Sequence, residues 1–190
     1  MLSVIIPSYN EEKNVENTAK VVSQLLQENK IDYELVFVND GSADGTWEIL
    51  SNMAKTQDHI VAVNFSRNFG KESAIFAGLE VAKGDACVLM DCDLQHPPEV
   101  IIEMHNIWKN NDIDIVEGVK SGRGKENSVY RWFSLLFYKL INKSSGLDLT
   151  GASDFRLLDR KAVDALNAMP ERLTFFRAMS SGVGCKTEKV

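Results

Sequence analysis

The sequence predicts an α/β fold, a mostly parallel sheet flanked by helices. Short β-branched apolar runs recur at Leu2 to Ile6, Leu35 to Val38, Ile60 to Phe65 and Ala86 to Met90. Segments with helical spacing of apolar residues separate them, and each run ends in a polar turn. Strands of a few residues alternating with helices of roughly ten to fifteen residues are the pattern of βαβ units. With 190 residues, 44% hydrophobic and 25% charged, the chain has the balance of one globular domain with its own core.

Leu2 to Ile6 is stopped by Pro7 and reads as a buried strand whose carboxyl end carries Ser8, Tyr9, Asn10, Glu11 and Glu12. A helix follows, with Val15, Ala19, Val22, Leu25 and Leu26 on one face. Leu35 to Val38 is the second buried strand, followed by an Asx- and Gly-rich turn from Asn39 to Thr46 and a helix through Trp47, Ile49 and Leu50. Ile60 to Phe65 gives a third strand, Ser66 to Gly70 a polar turn, Glu72 to Ala82 a helix, and Ala86 to Met90 the strand that ends in Asp91.

Beyond Asp93 the alternation becomes irregular. Glu99 to Trp108 reads as a helix and Ile113 to Gly118 as a strand, followed by a Gly-rich basic loop from Lys120 to Ser128. Between Lys120 and Lys143 the basic residues Lys120, Arg123, Lys125, Arg131, Lys139 and Lys143 stand against a single acid, Glu126, inside a chain of net charge -6. Val129 to Ile141 is rich in aromatic and aliphatic side chains but too short and too charged to span a bilayer. It fits either a helix packed on the core or one lying in a membrane interface with its Lys and Arg near lipid phosphates. Phe155 to Leu158 reads as a strand, Asp159 to Met169 and Thr174 to Met179 as helices, and the ending CKTEKV as a possible strand.

The acidic balance, with a pI near 5.1, argues against a nucleic-acid partner. Cys87, Cys92 and Cys185 are an odd set without C-x-x-C spacing, which supports neither a disulfide framework nor a zinc knuckle. His59, His96 and His105 form no ligand-spaced set. The start MLSVIIPSYN lacks the basic opening and long apolar run of a signal peptide. These features point to a cytoplasmic protein or a cytoplasmic-facing domain.

Ligands of parallel sheets bind outside the carboxyl ends of the strands. Four polar loops converge there: Ser8 to Glu12, Asn39 to Thr46, Ser66 to Lys71, and Asp91 to Gln95. Asp91 and Asp93, spaced two apart at a strand end, suit a hard divalent cation, with Cys92 between them expected to point into the core. A nucleoside diphosphate needs acceptors for its base and ribose and positive charge for its phosphates. Asp40 and Glu11 supply the first, and a cation on Asp91 and Asp93, with Lys71 and Arg67, the second.

The segments PSYNEEKNV (7 to 15), VNDGSADGT (38 to 46), SRNFGKESA (66 to 74), MDCDLQHPPE (90 to 99) and GASDFRLLDR (151 to 160) together resemble the inverting family 2 glycosyltransferases. Within that family they look like the polyprenyl-phosphate glycosyltransferases. The resemblance implies a GT-A (Rossmann-like) fold, a UDP- or GDP-linked sugar donor and Mg or Mn as cofactor. It implies that Pro7, Tyr9, Glu11, Asp40, Lys71 and Asp91 bind the nucleotide sugar, and that Asp91, Asp93 and Gln95 surround the metal. Asp93 and Asp154 become the catalytic candidates, with Asp154 in the G-x-x-D-F-R motif acting either as a base or as an orienting group. Arg123 and Arg131 fall where the family holds lipid phosphate. Asn39 departs from the pattern, standing where many relatives carry a first Asp.

On this reading residues 1–190 form a single catalytic domain, with a nucleotide-sugar half over about 1–95 and an acceptor half over about 96–190. The resemblance implies a polyprenyl phosphate acceptor at the cytoplasmic face of the membrane; the alternatives are a family member using a saccharide hydroxyl acceptor and a catalytically silent nucleotide-binding protein. Because the closer relatives continue into membrane helices and this chain shows none, it is expected to be the N-terminal part of a longer, membrane-anchored protein.

Overall fold

The β-branched runs pair into one sheet in a computed structural model that describes residues 1–118, 154–169 and 185–190. Its strands are β1 (Leu2–Ser8), β2 (Tyr33–Asn39), β3 (Ile60–Asn64), β4 (Ala86–Leu89), β5 (Ile115–Glu117), β6 (Arg156–Asp159) and β7 (Thr187–Lys189). They lie in the order β3-β2-β1-β4-β6-β5-β7. β1 pairs in parallel with β2 and β4, β2 with β3, and β5 with β7. Only β6, among the described strands, runs against its neighbours β4 and β5. The sheet is thus mostly parallel, as its βα alternation predicts. Because Leu89 lies opposite Arg156, the reversal brings the residues just before β6, Asp154 and Phe155, to the edge where β4 ends.

Side chains alternate across this sheet, so each strand feeds two cores. Leu2, Val4 and Ile6 of β1 and Leu35 and Phe37 of β2 pack toward Val15, Ala19, Val22 and Leu26 of α1 (Val15–Glu28). Leu50 and Met53 of α2 (Thr46–Thr56) and Ile101 and Met104 of α4 (Val100–Asn110) complete that side. Ile5, Val36 and Val38 face the other way, onto Ile75 and Leu79 of α3 (Lys71–Val81) and Val163 and Leu166 of α5 (Arg160–Ala168). The α1 residues recur at intervals of three and four, which places them on one stripe. Val15, Val22 and Leu26, fully buried, each contribute about 1.5–3 kcal/mol.

The observed elements differ from the sequence reading mainly at their ends. β2 extends beyond its apolar run because Tyr33 to Asn39 stay in register with Leu2 to Ser8. The CKTEKV ending supplies β7, parallel to β5. The basic loop, the aromatic-rich segment at 129–141 and the helix expected at 174–179 lie outside the described residues. No helix among the described residues is long and apolar enough to cross a membrane.

Candidate functional site

The strand order reverses between β1 and β4: the chain runs outward from β1 to β2 and β3, then returns to β1's other side as β4. A crevice opens at the carboxyl ends of strands at such a switch point. There a cleft of about 320 Å³ is lined by Pro7, Ser8, Tyr9, Glu11, Asp40, Asn68, Gly70, Lys71, Asp91, Cys92 and Asp93. Pro7, Tyr9, Glu11, Asp40, Lys71, Asp91 and Asp93 all come from the sequence-expected set. Gln95 is not among the lining residues; it is exposed, and its backbone N–H donates to Asp93 Oδ1 at 3.0 Å. Arg123 and Arg131 lie outside the described residues. Ser8, Asn68 and Gly70 were not singled out in the sequence, although they lie in or beside the loops expected to converge.

Two of these loops are latched together by reciprocal hydrogen bonds. Asn10 N–H donates to Ser42 Oγ at 2.9 Å, and Ala43 N–H donates to Asn10 Oδ1 at 2.9 Å. Gly45 N–H donates to Glu12 Oε2 at 2.9 Å, while Glu12 N–H donates to Asp44 Oδ2 at 3.2 Å. Glu11 N–H reaches Thr46 Oγ1 at 2.8 Å, and that hydroxyl donates to Asp44 Oδ1. Burial pushes the Asp44 carboxyl up, but hydrogen bonds from the Thr46 hydroxyl and N–H and from the Glu12 N–H outweigh it and hold it below the usual carboxylate range. The Asx- and Gly-rich composition of both motifs is therefore a loop-to-loop clamp, and it fixes where Tyr9 and Glu11 stand.

Asp40 extends the clamp to the third loop. At 3% exposure, it accepts from Phe69 N–H at 2.7 Å and from Gly70 N–H at 3.0 Å, one on each carboxylate oxygen. Each oxygen retains a further lone pair for a ligand. Beside it Gly41 has φ 65° and no room for a Cβ, which would strike the backbone of Arg67 and Asn68. A side chain there would push the second and third loops apart. Asn39, the departure from the usual acid, donates from Nδ2 to Asn64 Oδ1 at 2.7 Å, tying β2 to the end of β3. Arg67 stacks on the Phe69 ring, its guanidinium carbon 4.2 Å from the centroid, and does not line the cleft.

The opposite wall carries the acidic pair. β4 ends at Leu89, so Asp91 and Asp93 do not share a strand face by alternation, as the sequence suggested. They sit on a turn that passes through Leu94 at φ 54°. Cys92 between them is buried in the core, as expected, and its carbonyl accepts from Thr18 Oγ1 at 2.6 Å. Lys71, the first residue of α3, brings its Nζ within 2.5 Å of Asp91 Oδ1 and 3.0 Å of Asp154 Oδ2. Burial works against the ammonium, but the hydrogen bond to Asp91 and the charges of Asp154 and Asp91 outweigh it and hold its pKa above the ordinary lysine value. Asp154 thus joins the cleft through Lys71. Behind it, His96 stacks on Phe155 at 4.8 Å, and fully buried Arg156 pairs with Glu117 at 3.4 Å.

Among the described residues no group of three or more His, Cys, Asp or Glu side chains is placed to hold a metal. Two neighbouring carboxylates fit a different kind of site, in which one or two protein oxygens and the phosphates of a substrate share a divalent cation. The oxygen donors of Asp91 and Asp93 suit Mg or Mn, and Asp91 already holds a cation, the Lys71 ammonium.

The chain has relatives at considerable identity. It is 40% identical over 184 residues to an uncharacterized glycosyltransferase of Synechocystis, covering 96% of this chain and 58% of that protein. It is 38% identical over 190 residues to a prophage bactoprenol glucosyl transferase homolog of Escherichia coli, covering 100% of this chain and 62% of that protein. This chain therefore spans roughly three-fifths of the length of these curated relatives. Its fold matches a solved mannosyltransferase from Pyrobaculum calidifontis, in complex with GDP-Man and Mn2+, with a TM-score of 0.68 at 18% identity, over 100% of this chain and 54% of that one. The helix-flanked, mostly parallel sheet is the GT-A fold. Residues 3–166 match the model of the family described as glycosyl transferase family 2, and the chain belongs to that family.

Proposed function

We propose that this chain is the catalytic domain of an inverting, metal-dependent glycosyltransferase that moves a sugar from a UDP- or GDP-linked donor to a polyprenyl phosphate at the cytoplasmic face of the membrane. The observation that supports it most is the gathering of Tyr9, Glu11, Asp40, Lys71, Asp91 and Asp93 around one cleft, with Asp154 3.0 Å from Lys71. The identity to the bactoprenol glucosyl transferase homolog supports the lipid phosphate acceptor. The basic segment carrying Arg123 and Arg131 is the proposed acceptor side, within a half that runs from about 96 to 190.

In this reading Asp40 and Glu11 accept from the base and ribose, Tyr9 and Pro7 wall the nucleoside, and Lys71 meets the phosphates. Asp91 and Asp93 would hold the divalent cation, with Gln95 next to them in the same turn. When bound, that cation supplies positive charge where the diphosphate departs. An acceptor phosphate oxygen attacks the anomeric carbon opposite the diphosphate. The carbon–oxygen bond to the diphosphate breaks with its electron pair on the leaving nucleotide, and the configuration inverts. A phosphate monoester has its second pKa near ~6, so the acceptor is largely dianionic at neutral pH and needs no base. Asp154 then orients the acceptor or stabilises positive charge on the sugar.

The test is transfer of labelled sugar from UDP and GDP donors to undecaprenyl phosphate in detergent, run beside soluble saccharide acceptors. The reading expects label in the lipid phase, lost in Asp93→Asn. Transfer only to saccharide hydroxyls, abolished in Asp154→Asn, would overturn the polyprenyl assignment and make Asp154 a general base.

A further inference from the structure

Among the described residues lining the cleft, Lys71 is the cation, facing the carboxylates of Glu11, Asp40, Asp91 and Asp93. Its position is unusual for its chemistry. It opens α3, where the helix dipole presents positive charge and favours acids over lysine. Gly70, held by Asp40 through its N–H, fixes the backbone from which the lysine stem leaves. The ammonium lies between two carboxylates from separate parts of the fold, Asp91 after β4 and Asp154 before β6. At 2.5 Å from Asp91 Oδ1 it takes up one of the acceptor positions through which that carboxylate could hold a divalent ion. These side chains are 41%, 37% and 23% exposed, and ion pairs open to solvent are weak, so the bridge is easily displaced.

We propose that Lys71 is an internal counter-cation of the metal site: its ammonium ties Asp91 to Asp154 in the donor-free protein, and a divalent ion gains Asp91 only together with a nucleoside diphosphate. The phosphates supply the missing metal ligands and at the same time take over the ammonium. Lys71 is in this respect a positioning residue, keeping Asp154 close to the acidic turn while the cleft is empty and coupling cation entry to donor entry. The inference rests on the donor-and-metal reading above.

Mn2+ binding to the full chain, followed by loss of the free-ion electron paramagnetic resonance signal, tests it without turnover. Wild type, Lys71→Met and Lys71→Arg are titrated alone and with UDP or GDP, with Lys71→Gln as a second neutral variant. The expected result is that Lys71→Met and Lys71→Gln bind Mn2+ without nucleotide about fivefold more tightly than wild type, the gain that loss of one partly exposed ion pair allows, while Lys71→Arg keeps the wild-type weakness. The gain disappears when Asp91→Asn is added. Unchanged or weaker nucleotide-free Mn2+ binding in both neutral variants, with normal binding of Mn2+ and nucleotide in wild type, overturns the counter-cation inference alone. No Mn2+ uptake by any of the proteins, with either nucleotide, overturns the metal reading and this inference together.

Discussion

Asp40→Asn probes the clamp that shapes the donor cleft. In the native chain its two oxygens satisfy the N–H groups of Phe69 and Gly70, at 2.7 and 3.0 Å, in a position only 3% exposed. An Asn side chain offers one acceptor oxygen and turns an NH2 group toward the second donor. The variant loses one charge-assisted hydrogen bond and faces the donor it held with that NH2 group, which costs about 2 kcal/mol. That energy acts on local opening of the Ser66 to Gly70 loop, because the core strands beneath are held by their own ladder. Amide hydrogen exchange at Phe69 and Gly70 should accelerate roughly 30-fold, the factor that about 2 kcal/mol gives at 25 °C. Val36 and Phe37, inside β2, should exchange at the wild-type rate. If Phe69 and Gly70 are unaffected while nucleotide affinity falls, Asp40 acts on the ligand alone and the clamp argument is wrong.

Three other outcomes follow from the same geometry. Gly41→Ala places a methyl against the backbone of Arg67 and Asn68 at a φ of 65°, and should lower the urea midpoint by an amount equivalent to more than about 1 kcal/mol. Burial pushes the Cys87 and Cys92 thiols up to about 11. A thiol reagent at pH 8 should therefore label the half-exposed Cys185 in the folded chain, and Cys87 and Cys92 only after unfolding. Asp44 has a folded pKa below its unfolded value, so its contribution is present above the unfolded value of about 3.9 and is lost as pH falls through the folded one. The stability gap between wild type and Asp44→Asn should be constant from pH 6 to 8 and close in strong acid; a gap that persists there would contradict the Thr46 and Glu12 hydrogen bonds as its source.

The first half of the fold was legible because its signals are local. Leu2 to Ile6 and Leu35 to Val38 are apolar runs ended by turn residues, and Val15, Ala19, Val22 and Leu26 mark a stripe that can face only a core. The convergence of Tyr9, Glu11, Asp40, Lys71, Asp91 and Asp93 followed from topology, since every carboxyl end of a parallel sheet lies on one edge. The direction of β6 was not legible, because Arg156 to Asp159 reads the same in either orientation. That direction nevertheless decides whether Asp154 reaches the acidic turn. Nor did the sequence show that the side-chain oxygens of Asn10, Glu12 and Asp44 accept from the backbone N–H groups of Ala43, Gly45 and Glu12, since each pair is separated by more than thirty residues. The i, i+2 spacing of Asp91 and Asp93 suggested a strand face, whereas a turn beginning after Leu89 brings both to the cleft.

The most direct test of the central claim, that this cleft takes a nucleoside diphosphate through a cation held by Asp91 and Asp93, is calorimetric titration of UDP and GDP into the chain with Mn2+ and with EDTA. The account predicts that one of the two nucleotides binds with Mn2+, that EDTA weakens it at least tenfold, and that Asp93→Asn removes the difference. Binding of equal strength in EDTA, or a Mn2+ effect that survives Asp93→Asn, would contradict it.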